Sequence, residues 1–356
     1  MKKRFFSILA LTLVCIFSLS ACDGCFSLQP INFTNAFNGG SGLKVEDNPK
    51  TNYQEVLTYD VDYFESFDGY SISNKLKANE KFNVKFENGK YVSTLKILSS
   101  FGDANVKLES DIIDSLENNQ MHAYYLHTEF SIDVTYDIED RDPYTHTDTI
   151  VSDVYFCDVS LSYAPIYSKT TADYTNLRCV EKIYAVSDKT FSEVKYSKNS
   201  YTVSFTANNK ETKVTTNDYE YKTIIDNAQL LFAIRNFPLE LETTESMPVV
   251  GYNFGEAVSL AINKDTTSTI SYQENPLIYG LANYSGNVET SRYRFYRNKT
   301  NETGVMQNVY IQNNVENSDI AYKSLLIRYV EPLSSVYGDV LSLGALVYTL
   351  RNVQVG

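Results

Sequence analysis

Tyr124-Tyr125-Leu126-His127-Thr128-Glu129-Phe130-Ser131-Ile132-Asp133-Val134-Thr135-Tyr136-Asp137-Ile138 is the stretch that decides the fold. Tyr124, Leu126, Phe130, Ile132, Val134, Tyr136 and Ile138 share one parity, and His127, Glu129, Ser131, Asp133, Thr135 and Asp137 share the other. A period of two held this long describes a strand with one face in a core and an acidic face in water. Strands of this length usually bend around something.

The same period extends in both directions. Downstream, residues 140–147, with Pro143, make a turn, and Val151, Tyr155, Cys157, Val159, Leu161 and Tyr163 are expected to line the core face of the returning strand. Short strands follow at 180–185, 191–196, 201–207 and 211–216, broken at Ser187-Asp188, Lys198-Asn199 and Asn208-Asn209, a rhythm that suits a meander. Upstream, Leu57, Tyr59, Val61 and Tyr63 alternate with Thr58, Asp60 and Asp62. Residues 81–87 and 90–97 flank Asn88-Gly89, a pair that accepts φ > 0 at both central positions of a type I′ turn. The spacing predicts a hairpin with Glu87 opposite Lys90 and with Phe86–Tyr91 and Phe82–Leu95 pairs on one face.

One segment breaks the period. Asp226 is a good N-cap, Leu230, Leu231, Ile234 and Phe237 fall on one helical face, and Pro238 stops the run. This predicts a helix of about ten residues lying across a sheet. After a turn-rich connection at 245–251, extended segments resume at 269–272, 292–297, 305–312, 321–330 and 341–353. With 29 Tyr, 19 Phe and no Trp, the composition favours pleated, half-buried surfaces. The expected class is all-β: a strongly curved antiparallel sheet or incomplete barrel with one short helix packed on it. Residues 54–356 form its domain, and a subdivision would fall near 245.

The N-terminus carries an address. Met1-Lys2-Lys3-Arg4 is a positive segment, residues 5–19 are apolar, and small residues follow. The apolar run falls short of the ~20 residues a spanning helix needs, so residues 1–21 are expected to be cleaved. Leu19-Ser20-Ala21-Cys22 resembles a bacterial lipobox. The resemblance implies that Cys22 becomes the lipid-modified first residue, carrying acyl chains such as palmitate. The chain would then sit on the extracytoplasmic face of the cell membrane as a lipoprotein. Residues 22–53, with Asn38-Gly39-Gly40-Ser41-Gly42 and Asn48-Pro49, read as a tether. Losing Lys2, Lys3 and Arg4 takes the net charge from −13 to −16. A chain this acidic repels nucleic acid and anionic headgroups, so no nucleic-acid partner is expected, and its hold on a membrane must come from the lipid.

Candidate sites are few. Cys157 and Cys179 are candidates for a disulfide closing a loop of about 22 residues, worth roughly 3 kcal/mol, or for two buried thiols. No G-x-S-x-G elbow is present. His122, His127 and His146 have no metal-ligand spacing and read as surface residues. Asp137, Glu139, Asp140 and Asp142 supply oxygen ligands of the kind calcium takes, yet lack the twelve-residue loop pattern, and a solvated turn is the simpler reading. Arg292, Arg294 and Arg297 alternate with Tyr293 and Phe295, as on an outward strand face. No cofactor is expected.

The order of elements, antiparallel strands with a short helix after mid-chain and then more strands, is similar to bacterial domains related to the lipoprotein-localisation-factor fold. In that fold an incomplete barrel holds helical material against its apolar concave face. The resemblance implies a carrier or cradle, by analogy only. The sequence thus favours a non-catalytic envelope lipoprotein that binds an apolar ligand, a lipid or a protein through a curved sheet. The alternative is a hydrolase of an envelope polymer with convergent carboxylates.

Overall fold

A computed structural model describes residues 54–72, 82–108, 110–116, 123–138, 141–159, 162–179, 183–207, 210–217, 224–236, 245–253, 256–296, 305–313, 325–337 and 339–356. The strands in chain order are β1 (Gln54–Phe64), β2 (Ser66–Phe67), β3 (Tyr70–Ser71), β4 (Phe82–Leu98), β5 (Ala123–Ile138), β6 (Tyr144–Val159), β7 (Ser162–Cys179), β8 (Ile183–Tyr196), β9 (Ser200–Ala207) and β10 (Lys210–Asn217). After the helical segment come β11 (Ile225–Asp226), β12 (Glu245–Asn253), β13 (Glu256–Ser271), β14 (Leu277–Tyr279), β15 (Ala282–Tyr284), β16 (Asn287–Tyr296), β17 (Val305–Gln312), β18 (Leu326–Tyr337) and β19 (Asp339–Val355). All but β2 and β3 belong to one 17-stranded sheet.

Strands β4 to β10 form a meander, each antiparallel to the next. The other wall runs β12–β13–β16–β17–β18–β19, and β1 joins the walls by pairing with β19 on one side and β4 on the other. Five strands lie between β7 and β18 in that order, which would hold them roughly 30 Å apart in a flat sheet. They touch instead, so the sheet curls until opposite walls meet. It stays open: β10 and β11 pair with β9 and β12 and not with each other. The expected fold class holds, and Glu245 opens β12, where it pairs with Ile262 of β13.

The deciding stretch is β5, whose burial alternates along its length with Phe130, Ile132, Val134 and Tyr136 inside. Inward rings pack edge to face or tilted: Tyr348 meets Tyr91, Phe130 and Tyr329 at centroid distances of 5.8, 5.9 and 5.0 Å. Such pairs add about 0.5–1.5 kcal/mol each beyond area burial.

Several local expectations are corrected. Asn88-Gly89 is not a hairpin turn. β4 runs straight through it, and Glu87↔Asp133 followed by Lys90↔Ser131 leaves two residues of β4 facing one of β5, a β-bulge with Asn88 at φ 54°. The bulge keeps both halves of β4 apolar side inward by switching parity, and β5 is long enough to pair with both. The two-residue turn with φ > 0 at both positions lies instead at Asp68 and Gly69, between β2 and β3. On β6 Tyr155 and Cys157 are buried as expected, but Ile150, Val154 and Phe156 of the other parity are buried too, and Val151 is exposed. β8 passes through Ser187-Asp188, and residues 245–251 belong to β12 rather than to a turn-rich link.

Candidate functional site

The concave face of the sheet holds one helical segment. It consists of a 3-10 turn (Asn227–Gln229), the helix α2 (Leu230–Ala233) and a second 3-10 turn (Ile234–Asn236). A second short helix, α1 (Asp111–Leu116), lies elsewhere, where Asp111 accepts from Lys198 N beyond the end of β8. Around α2 the expected single apolar stripe is too narrow a description. Leu230, Ala233 and Ile234 belong to the main core, while Phe232 on the opposite side packs on Phe156 and Tyr163 at 5.2 and 5.1 Å. Apolar burial on both sides is what a segment enclosed by a curled sheet needs. Phe237 and Pro238, expected to end it, lie outside the described residues.

Polar contacts hold the segment at each end. Asp226 caps the first turn by accepting from Ala228 N at 2.8 Å, and its other oxygen accepts from Tyr196 OH at 2.5 Å and from Ser168 Oγ. Burial pushes this carboxyl above the usual carboxylate range, and those three donors work against the shift. At the far end Arg235 meets Glu55 of β1 in a two-pronged pair at 2.6 and 3.0 Å, with side chains only 6% and 2% exposed. Gln229 Nε2 donates to Tyr163 O at 2.8 Å. The segment is thus bolted to β7 and β8 by Asp226 and to β1 by Arg235.

Little space remains between segment and sheet. A cavity of about 10 Å³, bounded by Tyr59, Tyr91, Leu126, Leu231, Phe232 and Arg235, has room for one water. Among the described residues the helix occupies the concave face at this point, packed on both sides against the sheet.

The sequence-derived site residues scatter. Leu19, Ser20, Ala21 and Cys22 lie outside the described residues, as do Glu139 and Asp140 of the acidic turn; Asp137 and Asp142 are exposed. Among the described residues no group of three or more His, Cys, Asp or Glu side chains is arranged to hold a metal. The Cys157–Cys179 bridge is corrected by register. Cys157 stands opposite Ala164 and donates to its carbonyl at 3.7 Å, whereas Cys179 pairs with Ile183 at the other end of β7. Fifteen residues of strand separate the two levels, roughly 50 Å, against the Cα separation below about 7 Å that a disulfide needs.

His127 and His146 are not bare surface imidazoles. His127 Nδ1 lies 2.8 Å from Asp153 Oδ1 and Nε2 lies 2.9 Å from Glu129 Oε1. Tyr125 OH donates to the same Asp153 oxygen at 2.6 Å. The Asp153 bond, opposed by burial and helped by Glu129, pushes the His127 pKa up to about 9, so the ring is cationic at neutral pH and offers no basic nitrogen. His146 Nε2 meets Asp173 at 3.0 Å; His122 is outside the described residues.

A second polar cluster went unseen in the sequence because the turn that makes it was placed elsewhere. Asp68, on the β2–β3 turn, accepts from Asn308 and Tyr310 at 2.6 Å each and pairs with Arg292. Asp265 joins Arg292 to Arg294, which it meets at 3.0 Å. These two arginines are neutralised rather than offered to an anion; Arg297 is outside the described residues. The Asp-Gly pair was the available signal.

No known protein family matches the sequence, and no curated protein matches it. Among solved structures the chain is similar to the crystal structure of a β-barrel-like protein of the domain of unknown function DUF1849 from Brucella abortus. The TM-score is 0.42 at 8% identity, over 86% of this chain and 98% of that one.

Proposed function

We propose that the protein is a non-catalytic, lipid-anchored envelope lipoprotein that offers its curved sheet as a rigid scaffold to a lipid or protein partner on the outside. The observation that carries this reading is the bolted helix. A concave face closed by an apolar segment with a carboxylate hub at one end and a buried ion pair at the other is built to stay filled. Of the three occupants left open by the sequence, an internal apolar ligand is the least suited. The hydrolase alternative needs convergent carboxylates in a cleft. Among the described residues the buried carboxyls are instead each committed to other partners: Glu55 to Arg235, Asp148 to Thr175, Asp188 to Asn176, Asp226 to its three donors and Glu331 to Tyr348.

The lipobox supplies the anchor in this reading. Intact-mass spectrometry of the protein purified from a bacterial membrane tests it: a chain beginning at Cys22 with acyl mass is expected, and Cys22→Ser should abolish both the added mass and membrane retention. A chain cut elsewhere and free of acyl mass would overturn the anchor. Native mass spectrometry of the Cys22→Ser chain tests the scaffold, with no co-purifying lipid expected; a stoichiometric lipid would return the concave face to the role of ligand site.

A further inference from the structure

Among the described residues the large apolar side chains left most exposed are Phe64, Val151, Ile278, Leu281 and Val355. Three of these five gather at one end of the sheet. Leu281 is 108% exposed, more than in an extended reference chain, and Ile278 and Val355 are 42% and 43% exposed. Leu281 sits in the two-residue turn between β14 and β15, behind Gly280 at φ 59°. A glycine with positive φ at the first central position makes a tight, well-defined hairpin turn. The side chain is therefore presented on a firm tip rather than on a loose loop.

Register fixes where that tip lies. β14 runs parallel to the end of β19, with Ile278 opposite Asn352 and Tyr279 opposite Val353, and Gly280 N donates to Val353 O at 2.8 Å. Leu281 thus stands beside the last residues of the chain. Gln54, the first described residue, exchanges backbone hydrogen bonds with Gly356 at 2.9 and 3.0 Å. The apolar tip and the point where residues 22–53 join the folded body are at the same end of the molecule.

We propose that the β14–β15 tip is a bilayer-contacting finger, in which Leu281, flanked by Ile278, enters the acyl region and orients the body at the membrane. A chain with net charge −13 gains nothing from anionic headgroups, so the contact must be apolar. The inference draws on the lipid-anchored reading only for the presence of a bilayer, and its test does not depend on acylation.

The protein contains no Trp, so a single introduced indole reports its own surroundings. In the full mature chain carrying Cys22→Ser, Leu281→Trp should shift its fluorescence to the blue with phosphatidylcholine vesicles and be quenched by brominated acyl chains. Val151→Trp, at an exposed apolar position within β6, should do neither. Leu281→Asp should lower vesicle partitioning of the Cys22→Ser chain by about tenfold or more. The proposal is overturned if the Leu281→Trp signal does not move, if Val151→Trp responds equally, or if the shift appears without vesicles and grows with protein concentration, which would assign the tip to a second copy of the chain. Absence of acyl mass on Cys22 with a positive finger response would sink the anchor and leave the finger standing.

Discussion

Arg235 and Glu55 make the pair on which the seated helix most depends. Removing one partner of a buried, two-pronged ion pair strands a charge in the interior and costs about 3–5 kcal/mol, whereas replacing both with apolar residues of similar volume is often neutral. Arg235→Met should therefore lower the urea midpoint strongly, and Glu55→Leu combined with Arg235→Met should recover most of the loss. A single variant as stable as the parent would remove the bolt from the account. His127 gives a test by pH. Its folded pKa of about 9 lies above the unfolded value near 6.5, so its pairing with Asp153 contributes fully below pH 6.5 and is lost as pH rises through 9. The imidazole should titrate near 9 by NMR, and the Tm penalty of His127→Asn should shrink between pH 6 and pH 10. Asp148 has the opposite charge logic. Burial pushes its carboxyl up to about 6 despite the Thr175 bonds, and its folded pKa above the unfolded one means stability present below pH 4 and lost as pH rises through 6. Asp148→Asn should gain on the parent at pH 8 by about 1–3 kcal/mol and gain nothing at pH 4.

At the scale of elements, the Asn88-Gly89 bulge bends β4 where β1 crosses closest. A Cβ on Gly89 would lie 2.1 Å from Val61 O and 2.8 Å from Val61 Cβ, so Gly89→Ala should destabilise by about 1–3 kcal/mol or more in urea unfolding. An unchanged midpoint would mean that β1 does not approach β4 as described. This element also marks what the sequence could convey. Phe82 and Phe86 have even numbers, Tyr91, Leu95 and Ile97 odd ones, and both a two-residue turn and a one-residue bulge produce that switch. Only the length of β5, a non-local fact, decides between them. Part of the β6 pattern was hidden for a similar reason: Val151 reads as core on hydropathy but is exposed, while Ile150, Val154 and Phe156 are buried on one face and Tyr155 and Cys157 on the other. The Asp226 cap, by contrast, was legible, because capping is a contact between neighbours in sequence. Its second task, accepting from Ser168 and Tyr196, requires strands that lie 58 and 30 residues away.

At the scale of the whole molecule, the curled sheet and its enclosed segment explain each other. A sheet whose β7 and β18 touch needs something to fill the bend, and a short helix with apolar side chains on both sides needs walls all round. The all-β class and the position of the helix followed from periodicity; the packing of Phe232 on Phe156 and Tyr163 did not, since it depends on side chains brought together from distant strands. The central claim is that this helix is a fixed part of the core. Hydrogen–deuterium exchange of the full mature chain with Cys22→Ser tests it most directly. The account expects the amides of residues 230–236 to exchange only with global unfolding, at rates like those of β5. Exchange there that is orders of magnitude faster, while β5 stays protected, would contradict it and make the concave face an opening site.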